Sequence, residues 1–284
     1  MENMIEEQKQ EEQKQEEQKQ EEQKQEKQEE QKEEQKEEQK QEKQEEQNIT
    51  LFESIKENWL SWLFITISVL IISYPNFTIG YFTFFVLLFL AYIAHLLSHK
   101  THNIFTVVHR YHHSHNNLLS YFSQILLEFL VPTTLLPLYF IFDTVYLNEW
   151  IILMFTMFYS SVHNINYGIF HVNEVHSLHH KFVYTNLGPD VCDVMFNTKN
   201  PKDTHVENTN HYIPNIIVGT VIVLIIQFFY NKNEDIKAWI KFLMYTCIFT
   251  ALTFTGILSL YLYLVYYKKN MYQILYEIYN PKIL

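Results

Sequence analysis

Three short stretches of this sequence concentrate imidazole. His95 and His99 form a first box, His109, His112 and His113 a second, and His176, His179 and His180 repeat the second spacing. All 14 histidines fall between residues 95 and 211. On a helix, positions i, i+3 and i+4 share a face, so each stretch can aim its rings into one volume. Imidazole suits zinc, copper, iron and nickel, and a tetrahedral ion needs only four ligands. Eight rings exceed one ion, and two ions sharing about four nitrogens each is the economical reading. The ligating form is the neutral ring, so metal loss is expected to begin as the pH falls toward about 6 and below. A single histidine on an apolar face is usually a hydrogen-bonded core residue, but three ordered boxes call for metal binding.

The set His95-x-x-x-His99, His109-x-x-His112-His113 and His176-x-x-His179-His180 resembles the histidine boxes of the fatty acid hydroxylase / sterol desaturase superfamily, as does the short step from His99 to His109. Asn186-x-Gly188 and Asp193-Val-Met-Phe196-Asn-Thr198 are similar to two elements that follow the family's third box, with Asn197 standing where the family has glycine. The likeness covers roughly residues 59–198. It implies a membrane-bound non-haem di-iron oxidoreductase of lipid biosynthesis, which hydroxylates or desaturates a sterol or fatty acyl chain with dioxygen. Two iron ions, a cytochrome b5-type electron donor on the cytosolic face and a lipid drawn from the bilayer are the cofactors and partners so implied. The metal ligands would be His95, His99, His109, His112, His113, His176, His179 and His180, with His163 of "VHNINYG" as a ninth. No side chain beyond these ligands is assigned a catalytic role. The competing reading is a histidine-rich membrane metal transporter. Transport sites lie near the bilayer midplane, whereas these boxes sit at the ends of apolar segments and in the connections between them.

The other histidines carry weaker signals. His102 continues the His95/His99 face but lies outside the family's boxes, and His115, His171, His205 and His211 read as loop or supporting residues. Asp190, Asp193, Asp203 and Glu207 either orient ligand imidazoles through the free N–H or belong to an ordinary solvated loop.

The boxes need elements to hold them. After residue 48 long apolar runs predominate, and about 20 such residues cross a bilayer as a helix. Six segments qualify in some degree: Trp59–Tyr74, Phe77–Leu97, Tyr121–Phe142, Val145–Val162, Ile213–Tyr230 and Phe242–Tyr267. Glu128, Pro132 and Pro137 in the third and Glu149 in the fourth predict tilted, kinked or partly inserted helices. An even number of crossings puts both termini on one side. Lys100, Arg110, Lys181, Lys199, Lys202, Lys268 and Lys269 lie on the histidine side, against Lys232, Lys237 and Lys241 opposite, which predicts cytosolic boxes and termini. The expected fold is an all-α, polytopic membrane helical bundle with a cytosolic histidine-rich helical cap, placed in the endoplasmic reticulum.

Residues 1–47 are a slipping Glu/Gln/Lys repeat whose 19 Glu and 9 Lys carry −10 of the formal −11, so the remainder is nearly neutral. The repeat has good helix formers but no apolar stripe, and reads as a disordered or solvated helical tail. Its charge would repel nucleic acid, and no basic groove follows it. Cys192 and Cys247 are the only cysteines, which excludes a disulfide framework and leaves nitrogen and oxygen for any metal. The domain reading is therefore a low-complexity tail over 1–48, a histidine-box membrane domain over 49–212, and a transmembrane hairpin with a short cytosolic tail over 213–284.

Overall fold

The computed structural model describes residues 49–101, 106–115, 117–133, 135–136, 146–203, 205–266, 272–273 and 276. The expectations for the tail, for His102, for Pro137 and for Lys268 and Lys269 lie outside the described residues. The chain divides at Asn48/Ile49, and the described residues beyond that point form one compact unit.

Among the described residues the secondary structure is helical throughout, with no strand. Thr50 opens α1 (Leu51–Glu57) with a reciprocal capping box: its hydroxyl accepts the Glu53 N–H, and the Glu53 carboxylate accepts the Thr50 N–H. α1 meets α2 (Trp59–Ile72) at a 75° bend. α3 (Phe77–Lys100) returns against α2, and the approach is close enough that a side-chain carbon at Gly80 would overlap Ser73. α4 (Val107–Ser114) and α5 (Leu118–Thr133) follow. α6 (Glu149–Ser161) is capped by Asn148, whose side-chain oxygen accepts the N–H groups of Trp150 and Ile151 at 3.0 Å. Its last turn widens into a π-helical segment at Val162–Tyr167, a distortion that often marks a functional site. The short helices α7 (Val175–Lys181) and α8 (Asp190–Phe196) precede the long hairpin of α9 (Ile213–Lys232) and α10 (Glu234–Tyr261).

The core forms where α2, α3, α6 and α9 pack around Val69, Leu87, Ile151, Phe155 and Ile216, all buried. The outward faces are apolar as well: Val218, Phe228, Phe249 and Ile257 are exposed on the hairpin. A helix apolar all round with its outer face bare is built for lipid rather than water. Among the described residues three helices, Phe77–Lys100, Thr209–Lys232 and Glu234–Val265, are long and apolar enough to cross a membrane, or four if α1 and α2 form one bent crossing. This is a multi-pass arrangement, with fewer full-length spans among the described residues than the six segments of the sequence reading. α5 and α6 have 16 and 13 residues. Neither is among the helices long and apolar enough to cross as described, and Glu128, Pro132 and Glu149 lie in them.

The helices gather one set of ends around the histidines. Asn58 and Ser61 at the start of α2 bind Thr209, just before α9. Val107, Val108 and Tyr111 of α4 pack against Leu258, Leu262 and Tyr263 at the far end of the hairpin. The α9–α10 turn at Asn233 therefore lies at the opposite end of the bundle from the boxes. Single cysteines at Ser177 and Asn233, in a Cys192/Cys247-free background, are expected to react with an impermeant thiol reagent from opposite sides of sealed vesicles. Labelling of both from the same side would contradict this arrangement.

Candidate metal centre

α3 ends with His95 and His99 one turn apart, their ring centroids separated by 5.1 Å. α4 and α7 bring their boxes against this end, and the π-helical segment delivers His163. Eight of the nine proposed ligands fall into two groups whose candidate ligand atoms lie within 4.8 Å of one another: His95, His99, His109, His113 and His179 in one, and His112, His163 and His176 in the other.

The hydrogen bonds behind the first group determine what its nitrogens can do. The Nδ1–H of His95 is directed at the Leu187 carbonyl, and that of His179 at the Thr185 carbonyl at 2.8 Å. His109 Nδ1 faces Gln124 Oε1 at 3.2 Å, while Gln124 Nε2 donates to Glu128 at 2.7 Å. Carbonyl oxygens only accept, so each of these three rings spends its N–H at Nδ1 and presents a bare lone pair at Nε2. Yet His95 Nε2 and His179 Nε2 are 3.0 Å apart, with no proton left for a hydrogen bond between them. His99 Nε2 lies 3.3 Å from His179 Nε2 and 3.0 Å from His109 Nε2, which lies 3.1 Å from His113 Nε2. Facing lone pairs repel unless a cation sits among them. Nitrogens bound at about 2.1 Å to one ion stand roughly 3.0–3.4 Å apart, the spacing seen here. These residues fit a bound metal, and a purely hydrogen-bonded histidine cluster does not satisfy them.

In the second group, Ser120 Oγ donates to the His112 carbonyl at 3.4 Å and faces His112 Nδ1 at 3.2 Å. That leaves His112 Nε2 buried with no hydrogen-bond partner. His163 turns Nδ1 to the Glu128 carboxylate and Nε2 to His176 Nδ1 at 3.2 Å. His180, the ninth proposed ligand, stands apart from both groups: its Nε2 is 2.9 Å from His176 Nε2, on the other edge of that ring, and it stacks on His113.

Sequence reasoning missed the residues of α5 that back these rings. Gln124 and Glu128, one helical turn apart and buried in an apolar segment, were the available signal. Glu128 was read there only as an obstacle to insertion. The acids singled out after the third box do other work. Asp193 accepts the Leu187 N–H, the Gly188 N–H and the Thr198 hydroxyl at 2.8, 3.2 and 2.7 Å. It thereby fixes the loop whose Leu187 carbonyl receives His95. Asp190 pairs with Lys199 and accepts the Ser54 hydroxyl, Asp203 also pairs with Lys199, and Glu207 accepts Tyr167 and Asn173. Among the described residues their partners are not box imidazoles. Burial pushes the Asp193 and Glu207 carboxyls up to about 7. Asn197 has φ 54°, the left-handed conformation at which asparagine is the common substitute for glycine. A side-chain carbon at Gly188 would come within 2.8 Å of the Tyr92 ring. His115 stacks on Tyr111, His171 is exposed, and neither these nor His205 or His211 joins either group.

Beside the imidazoles lies a cavity of about 290 Å³. His95, His109, His163 and His176 line it on the imidazole side, and Leu88, Ala91, Ala94, Leu127, Val131, Phe155 and Phe158 form much of the rest. No family model, curated protein or solved structure matches this chain. What the geometry itself defines is a membrane-spanning helical protein with a buried polyhistidine centre able to hold metal ions.

Burial, reinforced by neighbouring rings, drives the imidazoles down: His112 to about 3, His180 to about 4, and His109, His113, His176 and His179 likewise below the usual range. The folded protein therefore keeps these six rings neutral at a pH where free histidine is protonated, and the expected onset of metal loss moves below about 6. The unfolded chain takes up protons from about pH 6.5. Stability of the metal-free fold should then rise with pH between roughly 4 and 6.5 and be lost as the pH falls through that window. Metal content after gel filtration is expected to stay flat from pH 7 to 5, while the apoprotein melting temperature falls over the same range. Release of metal near pH 6.5 from a still-folded protein would contradict the burial of these rings.

Proposed function

We propose that this protein is a membrane-bound non-haem di-iron oxidoreductase that hydroxylates or desaturates a lipid chain with dioxygen in lipid biosynthesis. The observation that carries the reading is the apolar cavity that ends on imidazoles of both histidine groups. His95, His99, His109, His113 and His179 would hold one iron, and His112, His163 and His176 the other. Bound there, iron supplies the activation of dioxygen needed to attack an unreactive C–H bond. The chain's own residues bind and orient. Leu88, Phe155 and Phe158 exclude water from the far part of the cavity, and Ala91 and Ala94 leave room for a chain along α3. Leu97, Leu127 and Val131 line the cavity and are partly exposed on the lipid-facing side of α3 and α5, a path for a substrate from the bilayer. Arg110, Lys181 and Lys202 on the histidine side suit a cytosolic, acidic donor of cytochrome b5 type, with the protein in the endoplasmic reticulum.

Lipids from cells expressing the wild type, His112→Ala and Ala94→Phe test this directly by mass spectrometry. The wild type is expected to accumulate a lipid that is one oxygen heavier or two hydrogens lighter, dependent on iron, dioxygen and an electron donor. His112→Ala should abolish that product and lower metal content. Ala94→Phe should reduce it by about tenfold or more through misplacement of the chain, with metal content unchanged. Iron-loaded protein inert toward every lipid class, in cells whose metal uptake depends on His112, would sink the oxidase and favour a transporter.

A further inference from the structure

Within the two-metal reading proposed above, the two groups differ in ways the histidine spacing does not reveal. The first offers five imidazoles and the second three. His180 does not complete the second group through the same nitrogen, because it meets His176 at Nε2 while His163 meets it at Nδ1. An ion of octahedral preference would keep one position free in the first group and three in the second. The backing charges differ too. In the first group the N–H groups of His95, His179 and His109 end on neutral oxygens, those of Leu187, Thr185 and Gln124, while His113 Nδ1 is buried with no hydrogen-bond partner. In the second, His163 is backed by the Glu128 carboxylate, which also accepts from Gln124 and Asn164. A carboxylate behind an imidazole fixes its tautomer and makes it a stronger donor. Gln124 and Glu128 thus link the groups in one buried line, His109–Gln124–Glu128–His163.

We infer that the two metal positions are unequal: the five-histidine position is nearly closed and chiefly structural, and the three-histidine position backed by Glu128 is where a small exogenous ligand binds. Dioxygen is such a ligand, and azide is a stable anionic probe for the same open coordination positions. Glu128 acts through His163 as a positioning residue and does not itself touch the ligand. The line through Gln124 lets a change of charge at the second position be felt at His109 in the first.

Purified full-length protein, stripped of metal and titrated with Co(II), tests the inference without lipid turnover. Two cobalt ions are expected, with distinct visible spectra, and azide should perturb only the one with the lower coordination number. Glu128→Gln should weaken the azide-responsive cobalt by about 10- to 100-fold and leave the other in place, and Glu128→Asp should recover part of the loss. Azide perturbing both ions equally, or Glu128→Gln weakening both alike, would overturn the inference. Should Glu128→Gln fail to fold, the azide titration of the wild type decides alone. Equal cobalts in a protein that oxidises lipid would end this inference and spare the proposed function. Unequal cobalts in a protein that oxidises none would do the reverse.

Discussion

The lone pairs of His95 and His179 face each other at 3.0 Å with both N–H groups already committed to carbonyls. That contact constrains the rest of the molecule. Each unsatisfied polar group buried in an apolar setting costs about 1–3 kcal/mol, so a cluster of such rings is unfavourable until something positive joins them. Protonation is opposed at His179, where burial and the neighbouring rings favour the neutral form. A metal ion turns every one of the facing lone pairs into a bond. The helices, the bent segment at Val162–Tyr167 and the loop held by Asp193 are best understood as the scaffold that brings these nitrogens together.

The membrane setting explains where the site sits. A bilayer core leaves backbone groups no partner but one another, so the spanning parts are helices and their apolar outer faces carry little chemical information. Polar construction is concentrated at one end of the bundle, where Asn58 and Ser61 bind Thr209, Asp190 pairs with Lys199, and Asp193 ties down the 186–188 loop. There the long helices end and short ones can cross them. α5 and the π-helical turn after α6 bring Gln124, Glu128 and His163 together at the centre. The apolar cavity joins the two regimes, with imidazole on one wall and Phe155 and Phe158 on another.

Much of this was legible in the residues. The i, i+3, i+4 spacing of the boxes is the geometry of a helix face, and the apolar runs at Phe77–Lys100 and Ile213–Lys232 have the length a crossing demands. His163 falls in the second imidazole group although it belongs to no box, because the chain after α6 widens into a π-helical turn that periodicity does not announce. Apolar composition alone does not separate a buried helix from a span, and of the six apolar segments the described residues hold three or four that qualify as crossings. The role of Glu128 was not legible. A carboxylate in an apolar run carries the same letter whether it shortens a helix or holds a ring, and only the approach of His163 from 35 residues downstream distinguishes the two. His180 matches the box spacing, yet it stands outside both groups and meets the far edge of His176.

The central claim is that these imidazoles exist to be bridged by metal. X-ray absorption at the edge of whatever metal co-purifies, with the metal-to-protein ratio measured on the same sample, tests it most directly. The account predicts about two ions per chain, a first shell of nitrogen and oxygen without sulfur, and the outer-shell scattering of several imidazole rings. A protein that keeps its helical content, takes up no metal when reconstituted, and leaves these rings unligated would contradict it.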